Sequence, residues 1–186
     1  GPAHPMYFEK DGLSWHRTWG GGLLNGCGTT TAGAPSEDQG EALGIHGRLS
    51  HIPANNIWAD AAWRGDEYEM WVQGKVRETT VKGENILVQR RIWTHLGASR
   101  LFIHDVITNE GLEPAPHMML YHFNLGFPLV AEGTEFIAPS RKVTPYRAEG
   151  ATALDHTRYV APIDNFQEQA FRHEMAAGED SFATVV

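Results

Sequence analysis

The sequence predicts an all-β fold, a sandwich or barrel built from short antiparallel strands. Three observations carry this expectation. Hydrophobic and polar residues alternate at period two from Tyr68 onward. Short turn signals separate the alternating runs. No stretch of useful length shows helical periodicity, and many closely spaced strands without helices imply sheets packed on or closed upon themselves.

Taken in order, the elements begin with an irregular first third. Its glycines, among them Gly20-Gly21-Gly22, Gly26, Gly28, Gly33, Gly40, Gly44 and Gly47, imply loops with close backbone approaches. Residues 59–69 fit a short helix or turn, against the two tryptophans and glycine nearby. Residues 68–80 (YEMWVQGKVRETT) read as a strand rich in β-formers. Lys82-Gly83-Glu84-Asn85 makes a turn, and residues 85–96 form the next strand, with Ile86, Val88, Arg90, Ile92 and Thr94 on one face. Gly97-Ala98 is a hairpin link. Residues 100–108 follow, with Leu101, Ile103, Asp105 and Ile107 on one face, and Asn109-Glu110-Gly111 ends them. Further strands are expected at 117–127, 166–175 and 181–186, with a long loop carrying short strands at 140–165. The chain stops inside this last apparent strand, which reads as a partial domain or as a terminal strand held in a sheet.

At 186 residues the chain suits one domain, spanning 1–186. A net charge of −8 without a Lys/Arg cluster argues against nucleic-acid and anionic-membrane partners. No apolar stretch is long enough to cross a bilayer, and residues 1–10 lack the order of a signal peptide. The single cysteine, Cys27, allows no internal disulfide and no zinc–cysteine site, which fits a reducing, cytoplasmic setting.

Ten histidines are present, so most must be ordinary. Context singles out two. His122 lies in the apolar run Leu120-Tyr121-His122-Phe123-Asn124 and shares a face with Leu120 and Asn124. It is either a core histidine bonded to a neighbour or a general acid held on a rigid strand, a role that suits a group titrating near neutrality. His46, in Gly44-Ile45-His46-Gly47-Arg48, has glycines that permit close approach to a ligand, and Arg48 offers a fork of donors for hydroxyls or carboxylates. The bland alternative is an exposed polar turn. Glu37 and Asp38 read as solvated surface. Arg77 and Glu78 are adjacent on a strand and face opposite ways, so one of them can reach a pocket. Glu168 reads as a strand carboxylate, either an edge-strand surface charge or a ligand. His46 and His51, like His117 and His122, lack a metal-binding spacing, so neither metal nor cofactor is expected. Cys27 reads as a packing residue rather than a thiolate nucleophile. The six tryptophans build core, with one or two available to stack on a sugar.

Several motifs, in order, resemble a known family. They are Trp19-Gly20-Gly21-Gly22-Leu23-Leu24-Asn25-Gly26-Cys27-Gly28, then Glu37-Asp38-Gln39-Gly40-Glu41-Ala42-Leu43-Gly44-Ile45-His46-Gly47-Arg48-Leu49-Ser50. Val76-Arg77-Glu78, Gly83-Glu84-Asn85, Thr108-Asn109-Glu110-Gly111 and His122-Phe123-Asn124 continue the series. Gly1-Pro2-Ala3-His4-Pro5 also matches a stretch inside that family's domain. The set is similar to a bacterial branch, mostly of unassigned function, of the aldose 1-epimerase (galactose mutarotase-like) superfamily. The resemblance implies a β-supersandwich, incomplete here at both ends, whose concave face binds a monosaccharide. It implies that His122 protonates the sugar ring oxygen. It also implies that His46 and Arg48, with Asn124, Arg77 and Glu168, hold or assist the substrate. The family's base glutamate comes from beyond Val186, and Glu168 resembles a different family carboxylate.

The leading expectation is therefore an isomerase that interconverts anomers or epimers of a small-molecule sugar by acid/base proton transfer. A homodimer is compatible with it. A non-catalytic carbohydrate-binding module and a metal-assisted sugar isomerase are the alternatives.

Overall fold

The computed structural model describes residues 14–17, 19–146 and 155–185. The described elements are ten β-strands and two short 3-10 turns, the all-β class that the alternation predicts. The Gly1-Pro2-Ala3-His4-Pro5 run and Val186, the last residue of the expected terminal strand, lie outside the described residues. By contact the chain divides into two compact units, Gly1–Asn124 and Leu125–Val186.

In the first unit, β1 (Asn25–Thr29), β2 (Ser36–Asp38) and β3 (Glu41–Leu43) precede a 3-10 turn at Leu49–His51. Strands β4 (Asn55–Arg64), β5 (Glu67–Thr79), β6 (Asn85–His95) and β7 (Phe102–Asn109) then form one antiparallel sheet in that order. The last strand of the unit, β8 (Met118–His122), returns to pair with β1, and β2 pairs with β3. Strands β5, β6 and β7 occur where alternation places them. Val76, Val88 and Ile107 are cross-strand neighbours on them and meet Ile86, Leu49, Ala115 and Met119 in the core. Each fully buried aliphatic side chain here contributes about 1.5–3 kcal/mol relative to exposure. Met119 carries the β1–β8 ribbon onto this face of the sheet, making two layers.

Three expectations change in this unit. Residues 59–69 are neither helix nor turn over most of their length. They complete β4, turn at Gly65–Asp66 and enter β5. The signal was weak because β4 pairs with β5 alone and is exposed on both faces along its first half, so no burial imposes alternation. The strand expected at 117–127 ends at His122. There the Asn124 amide donates to the carbonyls of His122 (3.2 Å) and Gly22 (2.7 Å), and draws the chain out of the ribbon. The glycine-rich third holds short strands as well as loops. Its close approaches are real: a Cβ on Gly28 (φ +118°) would stand 2.0 Å from the Met118 carbonyl oxygen, and one on Gly47 (φ +71°) 2.2 Å from that of Thr31.

Gly26 faces a side chain instead, since its Cβ would meet Arg90 Nη1 at 2.6 Å. A guanidinium can shift where a backbone cannot. Gly26→Ala is therefore expected to cost about 1–2 kcal/mol, as moderate overpacking does. Urea unfolding would read this, and an unchanged midpoint would show that Arg90 yields freely.

In the second unit, β9 (Ser140–Pro145) pairs antiparallel with β10 (Phe171–Met175), and an isolated bridge joins Glu135 to Arg158. The strand expected at 166–175 is thus present only in its second half, and 181–185 is irregular rather than a strand. The expected loop at 140–165 begins with β9, and its residues 147–154 lie outside those described.

Candidate functional site

Strand β1 is the rail on which both expected histidines are mounted. His122 ends β8 and lies in register with Asn25. His46 sits in a segment laid against the other end of β1. Its carbonyl accepts from Gly28 N–H (3.0 Å), the Gly28 carbonyl accepts from Arg48 N–H (3.0 Å), and His46 N–H donates to the Gly33 carbonyl (2.8 Å). These bonds hold His46 at φ 62°, in the left-handed region that a residue with a Cβ rarely adopts. Such strain persists only where the surroundings enforce it.

The result brings the two imidazoles together, with ring centroids 5.5 Å apart. Trp15, only 2% exposed, packs at 5.0 Å from His46 and 6.3 Å from His122. Trp19 stacks on Trp15 at 5.0 Å and meets the His122 ring at 5.6 Å. Trp15 is itself oriented by donating Nε1–H to Ser50 Oγ at 2.9 Å. Two buried polar atoms in this cluster, His122 Nδ1 and Trp19 Nε1, have no hydrogen-bond partner among the described residues. A buried polar atom without a partner is uncommon enough to need an explanation.

His51 packs against Trp15 at 6.0 Å, and burial pushes its pKa down to about 4. The folded protein thus prefers neutral His51, while the unfolded chain binds a proton near pH 6.5. Stability is fully present above about pH 6.5 and is lost as pH falls toward 4, by at most about 3 kcal/mol. Urea midpoints of wild type and His51→Gln across this range are expected to converge at the acid end. Parallel curves would refute the assignment.

Arg48 does not join the histidines. Its Nη2 donates to Glu41 Oε1 (2.5 Å), and its Nη1 to Glu78 Oε1 (3.2 Å) and Thr30 Oγ1 (3.4 Å). Burial works against the guanidinium charge, but hydrogen bonds and charges from Glu78 and Glu41 outweigh it and hold the pKa above the ordinary arginine value. Glu78 is 3% exposed and also accepts from the hydroxyls of Thr30 (2.6 Å) and Thr29. Arg48 and Glu41 open onto a cleft of about 810 Å³, whose rim includes Asp38, Glu84 and Glu110.

The other expected residues are placed elsewhere. Asn124 engages two backbone carbonyls, a structural part. Arg77 bonds Glu110 (2.6 Å) and Asn85 (2.5 Å) on the opposite side of β5 from Glu78. Glu168 belongs to the second unit, where it is exposed and precedes β10 rather than lying on a strand. Cys27 is buried, and burial pushes its thiol up to about 11 against a smaller opposing effect of Arg90, so it remains protonated near neutral pH. Glu41, expected near a solvated acidic loop, belongs to the exposed β2–β3 hairpin and anchors Arg48. Sequence reasoning left open which of Arg77 and Glu78 turns inward, and it missed the seating of Trp15 and Trp19. Glu78 had a signal: it is in phase with Val76 on β5, so it points to the core. In the second unit, Ser140 Oγ lies 2.8 Å from His173 Nδ1, with the His156 ring 5.4 Å from that of His173. Among the described residues, no three His, Cys, Asp or Glu side chains are grouped to hold a metal ion. No described helix is long and apolar enough to cross a membrane.

Comparison with known proteins adds two findings. A family model described as "Domain of unknown function (DUF4432)" matches residues 1–186. A crystal structure described as a "putative aldose 1-epimerase" from Klebsiella pneumoniae subsp. pneumoniae MGH 78578 is similar, with a TM-score of 0.82 and 25% sequence identity. The likeness covers 94% of this chain and 46% of that one, so the chain spans about half the length of the protein it matches. No curated protein matches the chain.

Proposed function

We propose, for a chain that belongs to the DUF4432 family of domains of unknown function, that it binds the hemiacetal end of a monosaccharide and interconverts its anomers by proton transfer. The observation that carries this reading is the pairing of His46 and His122 beside Trp15 and Trp19, with His122 Nδ1 and Trp19 Nε1 unpartnered. Ring opening needs an acid and a base side by side, because the ring oxygen and the anomeric hydroxyl share one carbon. Two adjacent imidazoles meet that demand. Protonated His122 gives its proton to the ring oxygen while neutral His46 takes the hydroxyl proton. The bond from the anomeric carbon to the ring oxygen breaks and the aldehyde forms. Rotation about C1–C2 and the reverse transfers close the other anomer and restore both histidines. Trp19, half-buried over the covered Trp15, has a ring that suits the C–H surface of the sugar. The likeness to a "putative aldose 1-epimerase" supports this chemistry.

The test is saturation-exchange NMR between the anomers of a panel of aldoses with the purified protein. Exchange above the buffer rate for at least one sugar is expected. Sugar binding with every exchange rate at the buffer value would leave a binding module in place of an enzyme.

A further inference from the structure

The buried carboxylate of Glu78 has no place in the proton transfers, yet it accepts from three side chains of β1 and of the segments beside it. We infer that Glu78 is a positioning residue that fixes His46 relative to His122, and that Arg48 is part of this clamp rather than a sugar ligand. The inference deepens the proposed function and rests on the same pair of imidazoles.

The geometry leads there step by step. Glu78 projects from β5 on the core side, in phase with Val76. Its two oxygens accept from Thr29 and Thr30, at the end of β1 and just past it, and from Arg48 two residues beyond His46. One carboxylate thus joins the rail to the histidine-bearing segment. The backbone joint runs in parallel, through Gly28 N–H to the His46 carbonyl and Arg48 N–H to the Gly28 carbonyl. At the far end of the same short strand, Asn25 lies in register with His122. A shift of β1 against Arg48 would therefore change the separation of the imidazoles. His46 itself is in the left-handed region and would relax if released.

The chemistry of the clamp fits positioning. A carboxylate with three donors and little exposure is costly to bury unless all its partners are in place, so it tolerates few alternative arrangements. Glu41 on the rim side takes the second arm of the Arg48 guanidinium, so the arginine is fixed at both ends. With both Nη groups so engaged, Arg48 serves the clamp even though its guanidinium lines the cleft beside Glu41.

The experiment compares wild type with Glu78→Gln, Glu78→Asp, Arg48→Lys and Ile107→Val, a core position two strands away from Glu78. The last lowers stability in the core without touching the clamp. Imidazole resonances of His46 and His122 are followed by long-range proton–nitrogen NMR, and anomer exchange is measured on the same samples. Glu78→Gln is expected to move the His46 resonances and lower kcat about tenfold with KM little changed. Arg48→Lys is expected to act in the same direction but less, Glu78→Asp to recover part of the loss, and Ile107→Val to leave the His46 resonances in place. Should Glu78→Gln fail to fold, Arg48→Lys and Thr30→Ala, which each leave the carboxylate and part of the clamp in place, decide the question by the same resonances. His46 resonances unchanged in the folded clamp variants would overturn the inference. So would an equal displacement in Ile107→Val. The resonances do not depend on turnover, so a protein without anomer exchange whose His46 signal moves in Glu78→Gln would retain the clamp and lose the proposed activity.

Discussion

His122→Asn is expected to lower anomer exchange by about 10²–10⁴-fold, the range that a positioned proton donor supplies. That loss corresponds to roughly 3–5.5 kcal/mol of barrier. Asparagine keeps a polar side chain of similar reach and can still hydrogen-bond to a sugar, but it cannot release a proton to the ring oxygen. Sugar affinity should therefore change only a few-fold while the rate collapses. His46→Asn should behave similarly if the two imidazoles act as acid and base. His46→Gly supplies a further distinction. It loses the imidazole but relieves the φ of 62°, so its thermal stability should exceed that of His46→Ala. Saturation-exchange NMR gives the rate and ligand titration gives the affinity. Wild-type exchange in His122→Asn would falsify the acid role. A parallel loss of affinity and rate would instead mark His122 as a binding group.

Much of the first unit was legible because burial writes itself into alternation. Ile86, Val88 and Ile107 occupy the core face that the pattern assigned to them. Strand β4 was not legible, since its pairing is made by backbone bonds to β5 while Trp58 and Trp63 stay exposed. His122 and His46 were each singled out as candidates, on local context and on a resemblance. The structure adds that the two rings pack on each other. For Arg48, a guanidinium beside a glycine looks available in the sequence, and only the three-dimensional register shows Glu41 and Glu78 bound to it. Adjacency on a strand left open which of Arg77 and Glu78 turns inward, and the phase of Glu78 with Val76 decides it. Trp15 and Trp19 carry no pattern that specifies what their rings touch, because their contacts with His46 and His122 are all distant in sequence.

Asp105→Ala is expected to destabilise the protein by about 3–5 kcal/mol, the usual result of removing one member of a buried ion pair. The Asp105 side chain is 1% exposed and receives both arms of Arg90, Nε to Oδ1 and Nη2 to Oδ2, each at 2.7 Å. Tyr121 adds its hydroxyl to Oδ2 at 2.8 Å. Burial alone would raise the Asp105 carboxyl, but the Arg90 and Tyr121 hydrogen bonds and the Arg90 charge outweigh it and hold the pKa below the ordinary value. Alanine leaves the Arg90 guanidinium beneath β1 without its counter-charge. Tyr121→Phe removes one hydrogen bond to a charged group and should cost less, about 1.5–3 kcal/mol. The sign with pH follows from the depressed carboxyl: this stabilisation is present above the unfolded pKa near 4 and disappears as pH falls through the lower folded value. Urea unfolding at pH 7 gives the main comparison, and a loss under 1 kcal/mol for Asp105→Ala would contradict it. The consequence reaches the site, because Tyr121 is the residue before His122. The Arg90–Asp105–Tyr121 chain ties β8 to β6 and β7, as Glu78 ties β1 and the His46 segment to β5. Each imidazole is thus referred to the same four-stranded sheet through a buried carboxylate. A variant at Asp105 should accordingly disturb the His122 resonances more than those of His46, and a variant at Glu78 the reverse.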